Sequence, residues 1–311
     1  MISRAVRIGT RGSALALTQT ESVVAALRAR HPELEVSVQR ITTKGDALRD
    51  VPLSALGGRG VFVDAIEEAL RLGDIDLAVH SAKDLPSRVP SDLAIGAFLE
   101  RVDPRDVLVS RAGPLATLPA GAGIGTSSLR RVCLIHSVRP DIETVDLRGN
   151  VDTRLRKLDA GEYDAIMLAA AGLVRLGLQH RITEWLPAET MLPSPGQGAL
   201  AIEIRADSDD VRELVRPLSH APTESALTAE RAFLSRLGVG CAAAVGAHAT
   251  LDEAGNLSLS AMIGAPDGRS VRGVETGPAS NAAAIGESLA GRLLADGGDA
   301  LVAAAERASV P

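Results

Sequence analysis

Aromatic residues are scarce in this chain of 311 residues, which has three phenylalanines, one tyrosine and one tryptophan. The hydrophobic core must therefore be built from alanine, valine, leucine and isoleucine. A protein that stacks nucleic-acid bases on aromatic side chains is disfavoured. The net charge of −6 points the same way, because nucleic-acid surfaces are usually basic. We expect no nucleic-acid partner, although a local cluster of basic residues remains open.

Cysteine and long apolar stretches are also rare. Two cysteines, Cys133 and Cys241, are too few for a disulfide scaffold and predict a reducing compartment. No segment has the run of about 18 apolar residues that a membrane-spanning helix needs. The first residues pass into a strand-like segment without the apolar core of a secretory signal. We therefore expect a soluble, cytoplasmic protein without a membrane partner.

Alternating strand and helix patterns fill most of the chain and predict an α/β fold with more than one core. After residue 240 the pattern changes to three short strands and two helices, which predicts a smaller α+β unit. The strand at 199–205 fits either of the first two units. We predict three domains: residues 1–100 with 200–218, residues 101–199, and residues 219–311.

A polar turn follows an apolar, strand-like segment at residues 73–78. Pro86 cannot continue a central strand, so His80, Ser81, Lys83 and Asp84 are predicted to crowd the carboxyl end of that strand. Ligands bind at this end of strands in open α/β sheets. Asp84 is a candidate acid, base or charge-stabilising group; the alternative is a surface turn with a solvated ion pair.

Arginines recur at predicted strand-to-helix turns. Ser13 is the predicted N-cap of the first helix, and residues 126–128 open a later one. Helix N-termini bind anions, and arginine adds bidentate recognition of carboxylate or phosphate. One such arginine would be an ordinary surface residue, whereas several in an acidic protein predict a polyanionic ligand. They are Arg11, Arg130, Arg131, Arg148 and Arg154.

Cys241 follows Gly240 in a loop after a helix. It is a candidate covalent attachment point or nucleophile; the alternative is a small buried apolar residue. Cys133 falls inside a predicted helix and is expected in the core.

Taken together in order, these motifs resemble the porphobilinogen deaminase family, also called hydroxymethylbilane synthase, over nearly the whole chain. The motifs are IGTRGSALAL at 8–17, TKGD at 43–46, HSAKDLP at 80–86, GTSSLRR at 125–131, LRGNVDTR at 147–154, AGL at 171–173 with Arg175, GQG at 196–198, and ER at 230–231 leading to GC at 240–241.

The resemblance implies that four porphobilinogen molecules are joined head to tail into hydroxymethylbilane, with ammonia released at each step. It implies two domains similar to type II periplasmic binding proteins and a smaller C-terminal α+β domain. It also implies a monomer with a dipyrromethane cofactor, bound to Cys241 through a thioether as a primer that is not turned over. No metal site is expected.

The resemblance assigns roles to individual residues. Asp84 matches the family's catalytic carboxylate. The positions that match cofactor-binding residues are Cys241, Ser13, Lys83, Thr126, Ser127, Ser128, Arg130, Arg131, Arg148 and Gly149, and those that match substrate-binding residues are Arg11, Gln19, Ser81, Arg154 and Arg175. The sequence departs from the family pattern at Thr18, at Arg59 and at 242–244.

Two other functions fit parts of the pattern. A non-enzymatic anion-binding protein on the same scaffold would use the arginines but would need neither Asp84 nor Cys241. A thiol hydrolase would pair Cys241 with His248, although no oxyanion arrangement or orienting acid is evident around them.

Overall fold

The computed structural model describes residues 5–43, 45, 63–238 and 244–308. The chain forms two compact units, residues 1–102 with 199–224 and residues 103–198 with 225–311. Among the described residues, no helix is long and apolar enough to cross a membrane.

The first unit is built on one five-stranded sheet with helices packed against it. Its elements are β1 (Val6–Arg11), α1 (Ala14–Arg30), β2 (Val36–Ile41), α2 (Asp64–Arg71), β3 (Leu77–Ser81), β4 (Leu93–Phe98), β10 (Leu200–Arg205) and α6 (Asp209–Val215). The strand order is β2-β1-β3-β10-β4. β1 is parallel to β2 and β3, whereas β10 is antiparallel to its neighbours β3 and β4. The strand at 200–205 therefore completes the first sheet.

The second unit contains a sheet with the same pattern of directions. Its elements are β5 (Asp106–Ser110), β6 (Gly123–Gly125), α3 (Leu129–Val138), β7 (Glu143–Val145), α4 (Val151–Asp159), β8 (Ala165–Ala169), α5 (Ala170–Arg175) and β9 (Glu184–Trp185). The order is β7-β6-β8-β5-β9, with β6 parallel to β7 and β8 and with β5 antiparallel to β8 and β9. Buried branched aliphatic residues on both faces fit a sheet covered by helices.

The same unit contains a three-stranded antiparallel sheet near the C-terminus. The elements of this part of the chain are β11 (Ala244–Leu251), β12 (Asn256–Gly264), β13 (Ser270–Pro278), α8 (Ala282–Leu293) and α9 (Asp299–Ala308), preceded by α7 (Ala221–Leu237), of which residues 221–224 belong to the first unit. Phe233 and Leu259 are buried in its own core. Met262 and Ala244 instead share a buried cluster with Leu134 of α3. The mixed α/β class with a smaller C-terminal α+β part is confirmed, whereas the three-domain boundaries stay a prediction.

The strand before the polar turn lies further along the chain than predicted. Gly73 ends the preceding helix with a φ of +71°, which is a common way to end a helix. The strand then runs over Leu77–Ser81 and not over 73–78. His80 and Ser81 are consequently the last two residues of the strand, at the predicted carboxyl end, and His80 is buried. No strand was predicted at Leu93–Phe98 or Glu184–Trp185.

Candidate functional site

In the first unit, the chain turns sharply where β3 ends. Residues Ala82–Asp84 form one turn of 3-10 helix, in which Asp84 is exposed and Lys83 is half-buried. The buried Leu85 anchors the far side of this turn, and the backbone N–H of Ala82 donates to the carbonyl of Ala199 at 3.0 Å. The Asp84 carboxylate is thus presented to solvent by a turn that is held at both ends.

Two predicted substrate-binding residues lie against each other next to this turn. Gln19 is buried in α1, and its Nε2 atom donates to the Ser81 Oγ atom at 3.0 Å. Arg11 ends β1, and Ser13 caps α1 by accepting a hydrogen bond from the backbone N–H of Ala16 at 3.2 Å, which confirms the predicted N-cap. Since β1 and β3 are parallel neighbours, their carboxyl ends bring these side chains and the Asp84 turn to one edge of the sheet.

In the second unit, the loop before α3 is joined to the loop before α4. The Ser127 Oγ atom donates to the carbonyl of Leu147 at 2.6 Å. Thr126 is buried, and its Oγ1 atom accepts from the backbone N–H of Ser128 at 3.2 Å. Because β6 and β7 are parallel neighbours, residues 126–128 and 147–149 lie together at the carboxyl edge of this sheet.

Gly149 shapes the second of these loops. Its φ is +112°, and a Cβ atom there would lie 2.8 Å from the Thr153 side chain, so only glycine fits without strain. The Gly149 carbonyl accepts from Nε of Arg154 at 2.7 Å, which fixes the direction of that arginine. The adjacent Arg148 has a buried Nη1 atom without a hydrogen-bond partner among the described residues.

Arg130 and Arg131 point inward and share one carboxylate. They are 4% and 6% exposed, and Asp106 is fully buried. Nη1 of Arg130 and Nη2 of Arg131 each lie 2.7 Å from an Asp106 oxygen. Burial alone would raise the pKa of Asp106, but the attraction of both guanidinium groups outweighs it and holds that pKa well below its usual range.

Neither Asp106 nor its contact with Gln197 was predicted from the sequence. Nε2 of Gln197 donates to Asp106 Oδ1 at 2.9 Å and to the Pro104 carbonyl at 2.7 Å. The available signal was an aspartate that opens the buried apolar strand Asp106–Ser110, since a buried carboxylate needs a charged or hydrogen-bonding partner.

Arg175 lies at the end of α5 and binds the glycine-rich turn at 196–198. Its Nη2 atom donates to the Gly198 carbonyl at 2.8 Å, and burial lowers its pKa to about 10. The same turn is held from the other side by Glu230, whose buried carboxylate accepts from the Gly196 N–H at 2.7 Å. Arg175 is therefore fixed to a segment with little freedom to move.

Cys241 lies outside the described residues, as do Arg59 and residues 242–243. The described chain resumes at Ala244, three positions after Cys241. Ala244 is buried in a cluster that includes Leu192, and the carbonyl of Leu192 accepts from Nη1 of Arg130 at 2.6 Å. His248 lies on β11 and is half-buried.

Comparison with protein families gives two matches along the chain. Residues 6–213 match the model described as porphobilinogen deaminase, dipyromethane cofactor binding domain, and residues 225–295 match the porphobilinogen deaminase C-terminal domain. All the polar side chains described above lie within these two ranges.

Full-length relatives carry the same name. The porphobilinogen deaminase of Roseiflexus castenholzii is 56% identical over 297 residues, which covers 95% of this chain and 98% of that protein. The porphobilinogen deaminase of Syntrophobacter fumaroxidans is 49% identical over 299 residues and covers 96% of each chain.

Two solved structures of binding proteins are weakly similar to this chain. The periplasmic aliphatic sulphonate binding protein SsuA from Escherichia coli has a TM-score of 0.42 at 18% identity and covers 75% of this chain and 70% of that one. A Salmonella typhimurium periplasmic binding protein has a TM-score of 0.41 at 15% identity and covers 70% of this chain and 92% of that one.

Proposed function

Because this chain belongs to the porphobilinogen deaminase family, we propose that it is a hydroxymethylbilane synthase, which joins four porphobilinogen molecules head to tail and releases ammonia at each addition. Family membership makes it a transferase of tetrapyrrole synthesis. The observation that carries the proposal is the match of two family models and of relatives about half identical over nearly the whole chain.

We propose that a dipyrromethane cofactor is attached to Cys241 through a thioether. When bound, it supplies the free pyrrole carbon from which the product grows. Its acetate and propionate groups suit a protein whose buried arginine nitrogens have no hydrogen-bond partner among the described residues, namely Nε of Arg130, Nε of Arg131 and Nη1 of Arg148. Thr126, Ser127, Ser128 and Gly149 of the second unit, and Ser13 and Lys83 of the first, are the further proposed cofactor-binding residues.

We propose that the substrate is bound mainly through its two carboxylates. Porphobilinogen carries one acetate and one propionate, and arginine recognises carboxylates with paired hydrogen bonds. The hydrogen bonds from Arg154 to Gly149 and from Arg175 to Gly198 fix the directions of both side chains before substrate arrives. Arg11, Gln19 and Ser81 complete the proposed substrate-binding set.

We propose that Asp84 stabilises positive charge on the reacting pyrrole rings. When the carbon–nitrogen bond of porphobilinogen breaks and ammonia leaves, positive charge develops at the pyrrole N–H. A new carbon–carbon bond then forms, and a proton leaves the attacking carbon. A carboxylate that faces those N–H groups stabilises this charge and can accept a proton. The anchored turn at Ala82–Asp84 supports this role because it presents an exposed carboxylate.

The test is the stoichiometry of the reaction. Purified protein is incubated with porphobilinogen, and ammonia and hydroxymethylbilane are measured together. We expect four molecules of ammonia for each hydroxymethylbilane. Binding of porphobilinogen without release of ammonia would contradict the proposal and favour a non-enzymatic anion-binding protein.

A further inference from the structure

Asp106 is the centre of a hydrogen-bonded group that holds two proposed cofactor-binding arginines. Its Oδ2 atom lies 2.7 Å from Nη1 of Arg130, and its Oδ1 atom accepts from Nη2 of Arg131 at 2.7 Å and from Nε2 of Gln197 at 2.9 Å. The side chain is fully buried at the start of β5. Asp106 is thus placed to act through the arginines.

Each donor in this group is also held by a second acceptor. Arg130 donates to the Leu192 carbonyl at 2.6 Å, and Arg131 donates to the Met167 carbonyl at 2.8 Å. Gln197 donates to the Pro104 carbonyl at 2.7 Å. Two acceptors on each planar guanidinium determine its position and its tilt. The orientation of both arginines is therefore set before any ligand binds.

The charges within this group do not cancel. One carboxylate faces two guanidinium groups, and the Nε atoms of both arginines have no hydrogen-bond partner among the described residues. Buried charge without a counter-charge is costly, and so is a buried donor without an acceptor. A carboxylate from a ligand would supply both the missing charge and the missing acceptors.

We propose that Asp106 is a positioning residue for carboxylate binding by Arg130 and Arg131, with Gln197 holding Asp106 in place. The inference rests on the proposed function, because it takes the ligand to be a pyrrole chain that carries acetate and propionate groups. Asp106 neutralises enough charge for two adjacent arginines to be buried together. It also leaves one positive charge for the ligand.

The experiment measures how fast the cofactor is acquired, by intact mass, when full-length apo-protein is incubated with preformed hydroxymethylbilane. We compare the wild type with Asp106→Asn, Asp106→Glu and a matched control, Asp76→Asn. Asp76 is also fully buried and bound to an arginine, Arg7, at 2.9 Å, but it lies in the first unit. Melting temperatures are recorded for every variant.

We expect Asp106→Asn to acquire the cofactor at least tenfold more slowly than the wild type, and Asp76→Asn to acquire it at the wild-type rate despite a lower melting temperature. Asp106→Glu should be faster than Asp106→Asn because it restores the charge, whereas a purely structural role would favour the isosteric asparagine. An Asp106→Asn rate within twofold of the wild type would overturn the proposal. The proposal would also be overturned if Asp76→Asn acquired the cofactor more slowly than the wild type in proportion to its lower melting temperature.

If Asp106→Asn does not fold, Gln197→Leu decides the question. It removes the hydrogen bonds to Asp106 and to the Pro104 carbonyl without changing any charge, and loss of the one to Asp106 predicts about fivefold slower acquisition. A wild-type rate in this variant would overturn the proposal. Failure of the wild type itself to gain mass would instead contradict the proposed function.

Discussion

The Nε2 atom of His80 lies 3.1 Å from the Oε2 atom of Glu203, and both side chains are buried. The two residues lie on the antiparallel neighbours β3 and β10. Their contact connects β3, which precedes the Asp84 turn, with β10, which lies more than 100 positions further along the chain. The second oxygen of Glu203, Oε1, has no hydrogen-bond partner among the described residues.

We expect substitutions of His80 and of Glu203 to destabilise the protein by different amounts. His80→Leu should destabilise the protein by about 3 kcal/mol or more, because it leaves a buried carboxylate unpaired. Glu203→Leu should cost less, because the buried group that loses its partner is then an imidazole and not a carboxylate. The double variant should be more stable than His80→Leu alone. Urea denaturation of the three variants measures these differences, and equal losses in the two single variants would contradict this account of the pair.

Replacement of Asp84 by asparagine should separate chemistry from cofactor attachment. Asp84→Asn keeps the size of the side chain but removes the charge, so turnover should fall by roughly a hundredfold or more, while the intact mass still shows the cofactor. Asp74→Asn is the matched control, because Asp74 is also exposed and precedes the same strand. Near-normal turnover of porphobilinogen by Asp84→Asn would rule out the assigned role.

Because of Glu67, the stability of the protein should fall as the pH rises above the pKa that this carboxyl has in the unfolded chain. Burial raises the pKa of this carboxyl above 4.5, and the nearby Glu203 raises it further, although Arg71 opposes both effects. Well below pH 4.5 the carboxyl is protonated in both states, and the folded protein keeps this contribution. As the pH rises through the folded pKa, the contribution is lost.

The substitution Glu67→Gln tests this sign. The variant mimics the protonated form, so it should be at least as stable as the wild type at pH 7 and equal to it at pH 4 by thermal melting. Its exposed neighbour provides the control Glu68→Gln, for which no such pH-dependent gain is expected. A loss of stability in Glu67→Gln that grows from pH 4 to pH 7 would show that the ion pair with Arg71 dominates instead.

Local patterns were enough to predict most elements. The sequence predicts a helix over residues 14–28 with Ser13 as its cap and a strand over residues 106–110. The structure has the helix at Ala14–Arg30, capped by Ser13, and the strand at Asp106–Ser110. Apolar periodicity and capping residues act over a few positions, so they can be seen in the sequence. The strand at Glu184–Trp185 has only two residues and forms by pairing with distant β5, which no local pattern reveals.

In the candidate site, too, local patterns could be predicted and contacts between distant parts of the chain could not. Arg130 and Arg131 could be singled out because they open a helix after a strand, but their shared partner Asp106 is 24 and 25 positions away and Gln197 is 91 positions from Asp106. The contact of His80 with Glu203, 123 positions away, could not be predicted for the same reason. Candidate side chains can be identified from the sequence, whereas the residue pairs that orient them depend on the order of the strands in each sheet.

The intact mass of the denatured protein, compared between the wild type and two cysteine variants, tests whether the cofactor is attached to Cys241. The wild type and Cys133→Ala should both be heavier than their sequences by a two-pyrrole adduct, and Cys241→Ala should not be. Unmodified wild-type protein is first incubated with porphobilinogen or preformed hydroxymethylbilane and weighed again. A wild-type mass that still equals that of the bare chain, or an adduct that persists in Cys241→Ala, would rule out covalent attachment of the cofactor to Cys241.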